Sequence, residues 1–215
     1  MTQKRRTFLL ALGAGVGAGA ALGAVFRATG KNRPEMTLLR PPGALGEEGF
    51  LAACIRCGQC VAVCPVDALV FAGVSAGVAL GTPCVVPEKS PCNLCQDRDT
   101  PPCIAICPTG ALKPVGDPRK VRMGTAVVVE DLCLVFNRVM CRSCWHACPF
   151  PDEAIRFDPM LRPVVEEASC TGCGLCTRAC PTRPSAIPIR PAGRKEFAAD
   201  PLAGRAAPPS VEGGS

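Results

Sequence analysis

Cys54-Ile55-Arg56-Cys57-Gly58-Gln59-Cys60-Val61-Ala62-Val63-Cys64-Pro65 sets four thiols two, two and three residues apart and closes on a proline. Cys170, Cys173, Cys176, Cys180 and Pro181 repeat that spacing residue for residue. Two variants lie between them: Cys92-x2-Cys95-x7-Cys103-x3-Cys107-Pro108 and Cys133-x7-Cys141-x2-Cys144-x3-Cys148-Pro149. Sixteen of the 17 cysteines therefore fall into four groups of four, and every group ends in Cys-Pro. Three thiols two residues apart can wrap a tight loop round three corners of one inorganic body. The fourth, offset by three, points away, and the proline behind it has a fixed φ and no N–H, so the chain cannot simply run on.

C-x2-C-x2-C-x3-C-P is the ligand run of bacterial ferredoxins. In their two-cluster forms the fourth cysteine ligates the partner [4Fe–4S] cluster, and thiolate is the soft ligand such clusters take. Four runs predict four [4Fe–4S] clusters held by Cys54, Cys57, Cys60, Cys64, Cys92, Cys95, Cys103, Cys107, Cys133, Cys141, Cys144, Cys148, Cys170, Cys173, Cys176 and Cys180, and hence an electron relay. Structural zinc also takes four cysteines, but usually from two well-separated pairs, whereas the first and last runs here are compact. A c-type haem is excluded, because Cys144 is followed by Trp145 and the only histidine, His146, comes one residue late. Cys84 stands outside every run and reads as a small buried hydrophobe. Trp145 reads as packing that shields a cluster, and His146 as a surface or neighbouring residue. With one histidine no Ser-His-Asp or Cys-His machinery is expected, so no residue is assigned a catalytic role.

The net charge of +6 is local. Lys4, Arg5, Arg6, Arg27, Lys31 and Arg33 stand in the first 33 residues with no acid, and the other 18 basic residues balance 18 acidic ones. No nucleic-acid partner is expected. Lys4-Arg5-Arg6-Thr7-Phe8-Leu9-Leu10 resembles the twin-arginine export motif, and Phe8–Phe26 is a 19-residue run without a charged or hydrogen-bonding side chain. Five glycines and six alanines keep that run weakly apolar, so it reads as a signal peptide, with an uncleaved membrane anchor as the alternative. Export of a folded protein fits the cysteines, since clusters can be inserted in a reducing compartment before translocation.

The runs begin at Cys54, Cys92, Cys133 and Cys170, offsets of 38, 41 and 37 residues, which reads as an internal repeat. Thr125–Val129 is β-branched and apolar and predicts a strand before the third run, and Arg162–Glu166, with Val164 and Val165 at its centre, reads as a strand before the fourth. Ala68-Leu69-Val70, Ala111-Leu112 and Ala154-Ile155 follow Cys-Pro ends and are expected to pack over the clusters. Aromatic residues make up 4% of the chain and tyrosine is absent, thin material for a core. Cluster binding is therefore expected to supply folding free energy, and the metal-free chain to be largely unfolded. Three segments result: 1–33, signal or anchor; 34–190, the cluster domain, entered through a polar, proline-containing stretch from Gly30 to Glu48; and 191–215, a tail without periodicity read as disordered.

Arg40-Pro41-Pro42-Gly43-Ala44, Ala53-Cys54-Ile55-Arg56-Cys57-Gly58-Gln59-Cys60, Gly81-Thr82-Pro83, Arg122-Met123-Gly124, Asp152-Glu153-Ala154-Ile155 and Cys170-Thr171-Gly172-Cys173-Gly174 resemble the NapG/MauM family of ferredoxin-type proteins over about residues 38–190. The resemblance implies an α+β, ferredoxin-like, loop-rich fold of two pseudo-symmetric two-cluster modules. It implies a periplasmic electron carrier working between a membrane-bound polyferredoxin or quinol-oxidising partner and a periplasmic cytochrome or reductase such as nitrate reductase, reached through the twin-arginine translocase. A MauM-like role in methylamine oxidation is the neighbouring reading. The stretch from Pro91 to Ala111 also resembles ferredoxin subunits of molybdoenzyme complexes. That likeness implies a nested pairing: second run with third, first with fourth, so that Cys54, Cys57, Cys60 and Cys180 share one cluster. Two readings of other classes stay open: an interaction protein stapled by zinc or disulfides, and a maturation factor whose clusters sense rather than conduct.

Overall fold

A computed structural model describes residues 38–193. The twin-arginine motif, the apolar run Phe8–Phe26 and the tail from residue 194 lie outside the described residues. Among the described residues no helix is long and apolar enough to cross a membrane.

The fold is small, mixed and rich in loops. The helices are α1 (Glu47–Ala53), α2 (Gln59–Ala62), α3 (Pro102–Ala105), α4 (Ser143–His146) and α5 (Leu175–Ala179), with 3-10 turns at Val74–Ala79, Pro118–Lys120 and Glu130–Leu132. The strands are β1 (Leu69–Phe71), β2 (Pro83–Val85), β3 (Gly124–Ala126), β4 (Ile155–Phe157), β5 (Pro163–Val165) and β6 (Ile189–Pro191). They form three antiparallel pairs, β1 with β2, β4 with β5 and β3 with β6. Helices of four to seven residues are far too short to hold together alone, so tertiary packing must fix them.

The packing follows the cysteine runs. Each of α2, α3, α4 and α5 carries one run cysteine, namely Cys60, Cys103, Cys144 and Cys176. Helix α2 packs on α3, and α4 on α5. The first run leads into the β1–β2 hairpin and the third into β4–β5. Of the residues expected behind Cys-Pro ends, Ala68, Leu69, Ala111, Leu112, Ala154 and Ile155 are buried and Val70 is half-buried. Two apolar clusters result. One gathers Phe50, Leu94, Ile104 and Met123 with Cys92, Cys103 and Cys173; the other gathers Ala126, Ile155 and Ile187 with Cys170, Cys176 and Cys180.

The strand expected over Arg162–Glu166 appears as β5, and that over Thr125–Val129 as β3. Beyond β3 the backbone keeps pairing, since Val127 N–H donates to the Pro188 carbonyl at 2.9 Å and Val129 N–H to that of Ala186 at 2.8 Å. Strand β6 reaches Pro191, one residue into the segment read as a structureless tail.

The approach segment is more than a polar linker. Arg40 is buried, with its aliphatic stem covered and its guanidinium 4.7 Å from the Phe50 ring centroid. It pairs with Glu47 through Nε at 2.8 Å, and donates to the Thr82 hydroxyl at 2.8 Å and the Pro83 carbonyl at 3.0 Å. The chain entering the fold is thereby tied to α1 and β2. Cys84 sits on β2 opposite Val70 and is 4% exposed, as expected of a packed hydrophobe.

Candidate metal centres

The thiol loops owe their curl to left-handed residues. Between Cys54 and Cys60 these are Arg56 and Gly58; between Cys170 and Cys176 they are Gly172 and Gly174; in the second run they are Leu94 and Cys95. Gly172 is obligatory on two counts. Its φ is +72°, and a Cβ there would stand 2.4 Å from the Gly124 nitrogen. Arg56 holds the equivalent place in the first run at φ +57°, where the loop is exposed and a side chain has room.

Three cavities are lined by four run cysteines each. Cys54, Cys57 and Cys60 share one of about 370 Å³ with Cys107. Cys92, Cys95 and Cys103 share one of about 330 Å³ with Cys64. Cys133, Cys141 and Cys144 share one of about 390 Å³ with Cys180. The remaining four are also neighbours, for Cys176 lies within electrostatic reach of Cys173, Cys170 and Cys148. The run cysteines thus gather in four sets, each of three consecutive run cysteines and one thiol borrowed from a neighbouring run.

The borrowing corrects the nested pairing. Cys180 stands with the third run, not with Cys54, Cys57 and Cys60; Cys64 stands with the second. The runs are paired first with second and third with fourth. The reason is the helix packing: α2 on α3 and α4 on α5 bring neighbouring runs face to face, and each short helix delivers its closing Cys-Pro to the other's loop. The seven-residue spacer between Cys95 and Cys103 is absorbed as an exposed loop over residues 96–100, so Cys103 still meets Cys92 and Cys95.

Burial dominates the electrostatics. It pushes Cys92 and Cys103 up to about 12, and Cys60, Cys144 and Cys148 up to about 11, with neighbouring thiols adding to the rise. Cys173 and Cys176 are raised by burial as well. Two borrowed thiols go the other way. At Cys180 burial is outweighed by the hydroxyl and N–H of Thr182, the Ala186 N–H and the Ser185 hydroxyl, and at Cys107 by the N–H groups of Leu112, Thr109 and Ala111 with the Thr109 hydroxyl. The Thr182 hydroxyl is 3.2 Å from the Cys180 sulfur, and the Thr109 hydroxyl 3.8 Å from that of Cys107. Backbone N–H donors also reach sulfur at Cys64 from Ala68 (3.3 Å), at Cys92 from Leu94 (3.4 Å) and at Cys170 from Ala126 (3.4 Å). Neither threonine was singled out in the sequence, although Cys-Pro-Thr recurs at the second and fourth runs and nowhere else.

Four soft donors round each set, apolar walls and N–H groups aimed at sulfur fit an iron–sulfur cluster. Among the described residues no three cysteine, histidine or carboxylate side chains close on a point as ligands of a single ion do. Trp145 packs beside the second apolar cluster and donates its indole N–H to Asp152 at 3.0 Å, while His146 is exposed.

Comparison with known proteins agrees with this donor chemistry. Residues 53–111 match the family profile described as a 4Fe-4S dicluster domain, and residues 161–182 that of a 4Fe-4S binding domain. The first match spans the first and second runs together, the same two that exchange thiols. The methylamine utilization ferredoxin-type protein MauM of Methylorubrum extorquens is 42% identical over 182 residues, 81% of each chain. The ferredoxin-type protein NapG of Escherichia coli is 38% identical over 71% of this chain and 70% of its own. MauM of Paracoccus denitrificans is 39% identical over 71% of each. This chain belongs to the NapG/MauM family of ferredoxin-type proteins. As a member it is a ferredoxin-type 4Fe-4S electron carrier rather than an enzyme.

Proposed function

We propose that this protein carries four [4Fe–4S] clusters in two pseudo-symmetric modules, and passes electrons from a membrane quinol-oxidising partner toward a periplasmic reductase, after export in the folded state. The sixteen run cysteines are the ligands, twelve grouped as the three cavities group them and the other four as Cys148, Cys170, Cys173 and Cys176. Each cluster when bound supplies a one-electron redox centre. The observation that carries the reading is the exchange of closing cysteines, which recurs between the first and second runs and between the third and fourth. A hairpin after the first run of each pair and a Cys-Pro-Thr at the end of the second support the pseudo-symmetry.

The protein's own residues set the order of the four thiol sets. Cys103 of the second lies within electrostatic reach of Cys60 of the first. Cys92 N–H donates to the Cys173 carbonyl at 3.0 Å, so the second adjoins the fourth. Cys176 of the fourth lies within reach of Cys144 of the third. The sets therefore run first, second, fourth, third, and the first and third are the outer ones.

Iron and acid-labile sulfide per chain, measured on protein purified without oxygen, test the reading. Roughly sixteen of each are expected. Zinc without sulfide, or neither metal nor free thiols, would replace it with a stapled interaction protein. The MauM relatives favour a second reading of the pathway, electron transfer in methylamine oxidation. A deletion strain that loses growth on methylamine but keeps nitrate respiration would select it.

A further inference from the structure

We infer that the surface over Cys141 is a docking site for an acidic redox protein. This rests on the relay proposed above, in which the third thiol set is an outer one. A groove of about 480 Å³ is lined by Arg138, Val139, Met140, Arg142, Met160 and Leu161, with Cys141 and Val135 in its wall. Those last two side chains also line the cavity of the third set, so the groove lies directly outside that set.

Three observations select the occupant. The first is shape and chemistry. Met140 is 79% exposed and Met160 68%, so these chains stand out from the surface rather than enclose a small molecule. Exposed methionine flanked by arginine is the composition of a protein interface, and methionine adapts to a facing surface.

The second is charge. The lining holds two arginines and no carboxylate. Neither Arg138 nor Arg142 takes part in an ion pair among the described residues. Arg142 lies 5.5 Å from the Phe157 ring centroid, and Arg162 nearby lies 4.9 Å from that of Phe136. Asp158 is engaged with the N–H groups of Met160 and Arg162, each at 2.8 Å. Two unpaired cations in an apolar rim complement carboxylates on a partner. They also offset the negative charge that a thiolate-bound cluster brings to this end.

The third is backbone. Arg138 and Leu161 both hold left-handed φ values, +63° and +62°, without being glycine. Such residues cost about 1 kcal/mol or more and persist only where the surroundings fix them. Here Asn137 fixes one loop by donating to the carbonyls of Asp131 and Cys133, both at 3.1 Å, and Asp158 fixes the other. The rim is thus held in shape before a partner arrives.

The test uses the full-length, cluster-loaded protein, reduced with dithionite and mixed in stopped flow with the soluble domain of cytochrome b5, whose haem edge is ringed by carboxylates. One electron passes from the chain to the ferric haem, leaving it ferrous. Duroquinone, a small neutral oxidant, serves as the acceptor that needs no docking. The rate with cytochrome b5 is expected to fall steeply with salt. R138E/R142E is expected to lower it about tenfold or more at low salt and to flatten the salt dependence, while oxidation by duroquinone stays unchanged. M140A/M160A is expected to slow cytochrome b5 while keeping the salt dependence. Should charge reversal cost absorbance near about 400 nm, the milder R138Q/R142Q decides. Wild-type rates with cytochrome b5 in the arginine variants, with duroquinone oxidation normal, overturn the surface alone. A wild-type chain without clusters, or one duroquinone cannot oxidise, overturns the relay and the surface together.

Discussion

The backbone N–H of Cys92 donates to the carbonyl of Cys173 at 3.0 Å, joining the loop of the second run to that of the fourth. Cys92 and Cys173 are both buried, and Cys92 lies in the electrostatic field of Cys173. The joint between the halves is therefore made by the residues that carry the chemistry, and Gly174 tightens it, since a Cβ there would meet Pro87 at 2.5 Å.

Exchange of closing cysteines makes the damage from single substitutions predictable. Cys64→Ser is expected to remove or convert the cluster of Cys92, Cys95 and Cys103, and to leave that of Cys54, Cys57 and Cys60 bound. Cys180→Ser is expected to strike the third run's cluster rather than the fourth's. Iron content with electron paramagnetic resonance of the reduced protein reads both. Loss of the first run's cluster in Cys180→Ser would restore the nested pairing.

Hydroxyl groups mark the two outer sets, Thr109 beside Cys107 and Thr182 beside Cys180. A hydrogen bond to sulfur favours the more negative, reduced state and so raises the potential. Thr182→Val is expected to lower the third set's midpoint by roughly 20–65 mV, the equivalent of one net hydrogen bond of about 0.5–1.5 kcal/mol in a one-electron couple. Thr182→Ser should restore it. The longer contact at Thr109 predicts a smaller effect there. A titration in which both valine variants match the parent would remove the threonines from the account.

Gly172→Ala is expected to destabilise the second half by about 2 kcal/mol or more, because the new methyl group meets Gly124 backbone at 2.4 Å and φ is +72°. Strand β3 carries Gly124, so the damage should reach the β3–β6 pair. Hydrogen exchange at Ala126 and Val127 would report it, and unchanged protection there would mean that the two backbones can part cheaply.

Acid is expected to empty the sites. Burial raises Cys92 and Cys103 to about 12 and Cys60, Cys144 and Cys148 to about 11, so in the metal-free chain these thiols are protonated at neutral pH. Iron takes thiolate, so loading releases protons, and the loaded form carries fewer of them. Cluster retention must then rise with pH and fall as pH drops. The lifetime of the absorbance near about 400 nm should shorten steadily from about pH 8 to about pH 5. A lifetime independent of pH would count against thiolate as the ligand.

Much of this architecture was legible in the cysteine spacing. The apolar segments behind the first three Cys-Pro ends are buried and the strand before Cys170 appears where the sequence put it, because Cys-Pro ends and β-branched runs are local patterns. Which run lends its fourth cysteine to which was not local. All four runs end in the same Cys-x3-Cys-Pro, so spacing does not distinguish their closing cysteines, and only the packing of α2 on α3 and α4 on α5 decides it. Arg40 was equally opaque: an arginine before two prolines reads as solvent-facing, and its partners Glu47, Thr82 and Pro83 come from two separate elements. The groove at Met140 and Met160 joins two loops some twenty residues apart, which no periodicity links.

Every thiol of the first two sets lies between Cys54 and Cys107, and every thiol of the other two between Cys133 and Cys180. A growing chain therefore contains every thiol of one pair of sets before the first cysteine of the next pair has been added. The nested arrangement would instead have kept Cys54 waiting for Cys180. Pairing of neighbours completes the thiol sets in sequence order, from the amino end onward.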